Sequence, residues 1–453
     1  MLAAHLLSLL IAVLLSPCLA ASRVEAATPT KTGLFNVSVV TWNLAETAPT
    51  ADRLRFLGEH SSADIVVLGV QECENVKPRR HEGHRSRAWR AAQIKYFGKS
   101  FVALAQHKMG GLQVSVFVRR GLAKKVQGVQ VLDVACGVGN VLTNKGAVCV
   151  LLRAQGKTIA FVNGHFAAHQ SKVSERNQDY QRVTESVVSR AQRRWLHKKF
   201  VLQQPIRKAS PVVPKRRTAM EVLRSQPVLR DVLGSAALSV EVDDNASDRR
   251  GKKRRGKRAR RPRRSAAVEK SVSRPLVEEE SAGQLKWPFD GVVFLGDLNY
   301  RLDLPRLEVT QLSTNTTSPV DNQVEIVKER CSRESDRAAG AMEVPEEFMP
   351  EVRAMLRHDQ LRRQIVAGKV FHGFKEADIT FWPTFKYDRG SFEFDSSGKN
   401  RAPSWTDRIL YYNFNEGGAS ESSRPALELT RYFSVDCRHG DHRPVCALFN
   451  LSL

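Results

Sequence analysis

Gly291-Val292-Val293-Phe294-Leu295-Gly296-Asp297-Leu298-Asn299-Tyr300-Arg301 is the stretch that decides how the chain is read. A short apolar run ends abruptly in a carboxylate, an amide and a guanidinium. A strand buried along its length and polar at its end delivers those groups to the rim of a sheet. The pattern recurs. Thr41-Trp42-Asn43 closes the run 36–42, and Gln71-Glu72 closes 65–70. Asn163-Gly164-His165 closes 159–163, Ser404-Trp405-Thr406-Asp407 opens onto 408–412, and Gly440-Asp441-His442-Arg443-Pro444 opens onto 445–450.

These six runs and two more, 113–118 and 147–152, are rich in Val, Ile and Phe and bounded by turn residues, so they read as strands. Helices are expected at 50–59, 89–97, 174–199 and 351–367. Strands alternating with helices imply an α/β or layered α+β domain. No internal repeat is visible. Residues 205–285 break the pattern, being rich in Pro, Ser, Arg and Lys, and the strands resume beyond them. The segment reads as a mostly disordered insertion within one domain spanning 34–450. A second irregular stretch is expected at 312–346.

The formal net charge is +24, and the 12 Lys and Arg residues among positions 249–264 supply half of it. That run suits a solvated tail, a nuclear signal, a processing site or contact with anionic lipid. Seven cysteines with no CxxC spacing exclude a dense disulfide scaffold and argue against a zinc site. Residues 1–20 carry an apolar stretch from Leu6 to Leu15, then Pro17 and small residues, as a secretory signal or membrane anchor would.

The rim residues have the right chemistry for metal-assisted phosphoester hydrolysis. Glu72 and Asn43, at two strand ends, offer hard oxygen ligands of the kind magnesium takes. Asp297 and Asn299 flank Leu298, so strand alternation would send both to one face, to orient a water and bind an oxyanion. Asp407 can fix and polarise His442, leaving the adjacent Asp441 as a metal or water ligand. His165 can donate to a phosphoryl oxygen, and Tyr300 and Arg301 follow where substrate would lie. Each motif alone is weak, because Asn, Asp and Glu at strand ends are common turn formers.

Taken together, the blocks resemble the inositol polyphosphate 5-phosphatases of the endonuclease/exonuclease/phosphatase superfamily. The resemblance rests on GDLNYRLDLP at 296–305, PSWTDRIL at 403–410, DHRPV at 441–445 and NGHFAAH at 163–169. VGNVLTNKGAV at 138–148 and the segment around Arg176 extend it, and the match runs from about 34 to 450. It implies a four-layer, DNase I-like sandwich of two facing mixed sheets flanked by helices. It also implies magnesium-dependent removal of the 5-phosphate from phosphatidylinositol 4,5-bisphosphate or the 3,4,5-trisphosphate, with soluble inositol polyphosphates as further substrates. By position, Lys386, Lys399 and Arg401 would cradle the 4-phosphate, with Arg176 as a further substrate contact. Partners would be a phosphoinositide-bearing membrane surface, and no nucleic acid is expected.

The chain departs from the family where Phe385 replaces a usual Tyr, Ala45 a usual Gly, and Gly440 a usual Ser. Losing the tyrosine hydroxyl should weaken 4-phosphate contact by about 1 kcal/mol. The leader also sits uneasily with a family of the cytosolic membrane face. Whether Asp297 or His442 takes the proton stays open at this level. The alternatives are another metal-dependent phosphodiesterase, nuclease or sphingomyelinase-like, and, least favoured, a non-catalytic protein bound to anionic membranes through 249–264.

Overall fold

The computed structural model describes residues 34–47, 62–74, 83–137, 142–154, 156–192, 287–303, 342–414 and 425–452, plus positions 54, 56, 57 and 139. The leader, most of the expected helix 50–59 and the insertion 205–285 lie outside these residues, as does most of 312–346. Eleven strands are described: β1 Leu34–Asn43, β2 Ile65–Gln71, β3 Phe101–Met109, β4 Leu112–Arg119, β5 Val126–Ala135, β6 Gly146–Ala154, β7 Lys157–His165, β8 Gly291–Asp297, β9 Asp407–Asn413, β10 Leu427–Ser434 and β11 Val445–Ser452. Four α-helices accompany them: α1 His84–Phe97, α2 Val173–Ala191, α3 Met349–Leu356 and α4 Gln360–Val366.

The strands form two mixed sheets. One has six strands in the order β10-β11-β1-β2-β4-β3, and the other has five in the order β5-β6-β7-β8-β9. Only β1 with β2 and β7 with β8 run parallel; the other pairs are antiparallel. All eight expected strands are present. The architecture is the four-layer sandwich that the motifs imply.

Alternation along the strands explains the layers. Val37 and Val39 of β1, Val67 of β2, Val114 and Val116 of β4, and Val148 and Val150 of β6 are fully or almost fully buried in one cluster. Phe161 of β7, Val293 and Leu295 of β8 and Ile409 of β9 join them, so this cluster is the inter-sheet core. The other parity faces the helices. Val162 and Phe294 pack with Val183 and Val187 of α2, while Val66, Leu68 and Phe117 pack with Trp89 and Phe97 of α1. Near the rim the inner layer turns polar. Gln71 Nε2 donates to Asn163 Oδ1 at 2.6 Å, and Asn163 Nδ2 donates to the carbonyls of Val70 (3.1 Å) and Gln113 (2.9 Å). These bonds tie β7 to β2 and β4 in the opposite sheet, and they satisfy groups that would be costly if buried alone.

The expected helix 351–367 is two helices. The chain leaves helical geometry at Asp359, whose φ of −65° and ψ of 120° are extended and whose carboxylate accepts from Arg362 N at 2.9 Å, capping α4. The break is held from outside. Arg408, buried in β9, donates from Nη1 to Asp359 Oδ1 at 3.0 Å, and from Nε and Nη2 to Glu376 at 2.7 and 2.5 Å. The arginine of the SWTDRIL motif therefore works inside the protein, joining β9 to the start of α4.

Arg408→Leu would strand two buried carboxylates. It is expected to destabilise the protein by about 3–5 kcal/mol. Urea unfolding checks this, and an unchanged midpoint would remove the argument.

Candidate active site

The inner parity that builds the core also builds the site. Asn43 follows Val39 by two steps of alternation, Asp297 follows Leu295 by one, and His165 follows Phe161 by two. Asp407 precedes Ile409 by one. Four polar side chains thus emerge at one rim between the sheets, where the apolar filling stops. All four are buried.

Asp297 is the centre. Its Oδ2 accepts from Asn43 Nδ2 of the facing sheet at 3.0 Å and lies 3.4 Å from His165 Nε2, while Oδ1 accepts from Asn299 N at 3.1 Å. The strand bends here because Gly296 has φ 148° and a Cβ would stand 2.0 Å from Gly164 O. Only glycine permits that approach of β8 to β7. Strand alternation does not place Asn299 beside Asp297, as the sequence reading held, because the strand has already ended. Asn299 takes a left-handed φ of 58°, which Asn tolerates, and its Nδ2 donates to Phe166 O at 3.2 Å.

The second unit is the His442–Asp407 pair. His442 Nδ1 lies 2.8 Å from Asp407 Oδ2, which also accepts from the hydroxyls of Thr384 (2.8 Å) and Thr406 (3.0 Å). Burial pushes the His442 imidazole down, but Asp407, with Asp297 and Asp441 behind it, holds it up at about 9. Burial raises the Asp407 carboxyl as well. Three donors on one oxygen favour the carboxylate, so the shared proton belongs on the imidazole. Burial also pushes Asp297 up, yet the bond from His165 and the positive field of His442 hold it well below the usual carboxylate range. His165 is held below its ordinary value by burial first and Lys145 second, so it is neutral at neutral pH.

The remaining expected residues divide. Glu72 has φ 50° and brings Oε1 to 3.7 Å from His165 Nε2. Arg301 Nη2 donates to Asn299 Oδ1 at 2.6 Å, and its guanidinium lies over the Phe385 ring at 4.2 Å. That ring sits 4.5 Å from the His442 ring, so Phe385 serves as packing between the two cations. Lys386 Nζ meets Asp441 Oδ2 at 2.8 Å, and Arg401 Nη1 meets Asp395 Oδ2 at 2.9 Å. Lys399 is exposed on the same segment. Asp441 therefore stands with these cations rather than with the Asp297 cluster.

Arg176 and Tyr300 require a correction. Both are fully buried. Arg176 donates to the carbonyls of Ala167, His169 and Gln170 and to Gln360 Oε1, and Tyr300 donates to Asn177 at 2.7 Å. Both terminal nitrogens of Arg176 and the hydroxyl of Tyr300 are spent on the protein, so these residues support the loop behind His165 instead of touching substrate.

Two features were not singled out from sequence. Thr384 and Thr406, which fix Asp407, look like ordinary loop threonines. Lys145, within the NKGAV segment, places Nζ 2.5 Å from His165 Nε2. Burial, the largest influence, holds its ammonium below the usual lysine range, against the opposing pull of Asp297 and Glu72.

The donor set fits a hard divalent cation. Glu72, Asn43 and Asp297 offer oxygens, and Asp407 Oδ1 is buried with no hydrogen-bond partner among the described residues. Ligand atoms of Asp297, Asp407 and His442 lie within 4.8 Å of one another. His442 Nδ1 and Asp407 Oδ2 are engaged with each other, which reads as an acid–base pair before a metal cage.

The sequence profile of Endonuclease/Exonuclease/phosphatase family 2 matches residues 40–204 and 246–448. The chain belongs to the endonuclease/exonuclease/phosphatase family. Within it, the relatives it matches include inositol polyphosphate 5-phosphatases, as the motifs implied. It is 28% identical over 435 residues to the type II inositol polyphosphate 5-phosphatase 15 of Arabidopsis thaliana, covering 91% of this chain and 31% of that protein. It is 25% identical over 423 residues to the phosphatidylinositol polyphosphate 5-phosphatase type IV of Homo sapiens, covering 92% and 46%. The chain thus spans less than half the length of these relatives. Among solved structures it is similar to the inositol polyphosphate 5-phosphatase domain of SPsynaptojanin, in complex with inositol (1,4)-bisphosphate and calcium ion. That similarity has a TM-score of 0.55 and 21% identity, and covers 92% of this chain and 84% of that one. The Cimex nitrophorin ferrous NO complex follows, with a TM-score of 0.50 and 15% identity, covering 93% and 99%. At these identities the structures show the shared fold.

The departure at Ala45 now has a physical account. Ala45 has φ 47°, the left-handed region where glycine is at ease, and it is held there by a 2.9 Å bond from its N–H to Asn43 Oδ1. Ala45→Gly is expected to stabilise the protein by about 1 kcal/mol. A lower unfolding temperature for the glycine variant would count against this.

The His442–Asp407 pair gives a pH dependence. His442 is raised from 6.5 to about 9, so its contribution to stability is full below about 6.5 and is lost as the pH rises through about 9. The change is worth on the order of 3 kcal/mol. The stability gap between wild type and His442→Asn should shrink from about pH 6 to about pH 10. A gap independent of pH would sink the assignment.

Proposed function

We propose that the protein hydrolyses the 5-phosphate of phosphatidylinositol 4,5-bisphosphate and the 3,4,5-trisphosphate at a phosphoinositide-bearing membrane surface, with magnesium as cofactor and soluble inositol polyphosphates as further substrates. One observation carries the reading. The segment that supplies Thr384 to Asp407 and lays Phe385 on His442 continues directly into Lys386, and then to Lys399 and Arg401. This continuity supports a cradle for a second phosphate next to the reacting centre, which a plain phosphodiester does not require.

The residues divide the work as follows. Asp297, ionised and fixed by Asn43 and Asn299, orients the attacking water by accepting its hydrogen. Phosphoryl transfer passes through a loose transition state, so positioning and charge stabilisation matter more than a strong base. His442, protonated and held by Asp407, donates to the phosphoryl oxygens as charge redistributes, and neutral His165 turns its single N–H from Asp297 to a phosphoryl oxygen. This division favours Asp297 over His442 as proton acceptor. Glu72 and Asn43, beside Asp297, would hold the magnesium ion, which supplies charge neutralisation at the phosphate and the leaving alkoxide. Lys386 and Arg401 exchange their carboxylate partners for the ring 4-phosphate.

Phosphate release by the full chain is expected from the 4,5-bisphosphate but not from the 4-phosphate, and to stop when magnesium is chelated. Asp297→Ala should lower kcat by roughly a thousandfold or more without loss of fold. Lys386→Ala should raise KM for 4-phosphate-bearing substrates by about tenfold. Silence on all inositides with turnover of abasic DNA or sphingomyelin would establish the other phosphodiesterase reading. A fully active, folded Asp297→Ala would remove the mechanism.

A further inference from the structure

Lys145 stands at the reacting end of the site with no role in the mechanism above. It lies on the turn that enters β6, and that turn is rigidly placed. Lys145 O accepts from Cys136 N at 2.9 Å. The next residue, Gly146, has φ 134°, and a Cβ there would meet Val134 O at 1.9 Å. The backbone can press against β5 only as glycine, which fixes where the lysine side chain begins.

The ammonium is directed at the cluster. Its one hydrogen-bond partner among the described residues is His165 Nε2 at 2.5 Å, and no described carboxylate lies within ion-pair distance of it. An ammonium has three donors, so two remain unspent. Four other cations of the site are engaged, Lys386 by Asp441, Arg401 by Asp395, Arg301 by Asn299 and His442 by Asp407, while Lys399 lies exposed on the outer segment. Lys145 is partly exposed, so a ligand entering the rim can reach it. A half-buried cation with free donors at the rim of the site is a receptor for an oxyanion.

We infer that Lys145 binds the phosphoryl group undergoing transfer, its Nζ donating to a non-bridging oxygen alongside His165. The ligand class is a phosphate monoester dianion or the inorganic phosphate released from it. The inference rests on the proposed phosphatase reading for its catalytic consequence, though not for the binding itself.

The test compares wild type, Lys145→Met, Lys145→Gln and Lys145→Arg in the full chain. Inorganic phosphate binding is measured by calorimetry with magnesium present, and kcat and KM on a soluble inositol polyphosphate are measured in parallel. Lys145→Met and Lys145→Gln should weaken phosphate binding by about tenfold or more and lower kcat by about 100- to 1000-fold. KM should rise by no more than the phosphate affinity falls, since the remaining contacts of the substrate are untouched. Lys145→Arg should recover part of both. The glutamine variant keeps a polar side chain of similar reach if the methionine variant folds poorly. Folded variants that keep the wild-type phosphate affinity and kcat overturn the inference while leaving the phosphatase reading intact. A wild-type protein silent on inositides defeats that reading, and phosphate affinity then decides the role of Lys145 alone.

Discussion

The bond from Asn43 Nδ2 to Asp297 Oδ2 joins residues 254 positions apart and belonging to different sheets. It can form only where the two inner faces still meet but apolar side chains no longer fill the gap. That place is set by the length of the apolar run in each strand. One more buried pair on β8 would push the carboxylate beyond the edge, and one fewer would bury it among valines. The site is thus the terminus of the core. His165 and Asp407 arrive there by the same alternation, and the cross-sheet amides of Gln71 and Asn163 form the layer beneath.

Much of this was legible because buried strands speak loudly in sequence. The three strands that went unread are β3, β5 and β10, and each is the outermost strand of its sheet. An edge strand is partly solvated, so its residues alternate less cleanly and include Gln, Lys, Glu and Arg. The fourth edge, β9, was legible because its motif announced it. At the site, residue identity was readable but conformation was not. Asn299 and Ala45 owe their places to left-handed backbone. Arg176, Tyr300 and Arg408 look like substrate contacts by type, yet they are buried braces, because a guanidinium can serve backbone carbonyls and carboxylates as well as phosphate. Lys145 sat in a glycine-rich stretch where nothing local singles it out.

The likeness to the Cimex nitrophorin, in a ferrous NO complex, shows how little the sandwich alone says about chemistry. The same two-sheet frame accompanies quite different ligands. What distinguishes this chain is the furniture of the rim: the Asp297 centre, the His442–Asp407 pair, and a cation-bearing segment attached to that pair through Thr384 and Phe385.

Strand β1 lies between β2, some twenty residues onward, and β11, where Leu34 faces Ser452 and Thr41 faces Val445. During synthesis, then, β1 must wait for almost everything else to emerge before its second neighbour exists. Loop closure over such a distance costs only slowly more than over a short one, so the finished sheet loses little stability. The burden falls on time instead. Until residues 445–452 arrive, β1 presents an open edge and an apolar face, the condition in which nascent chains recruit chaperones or pair with one another.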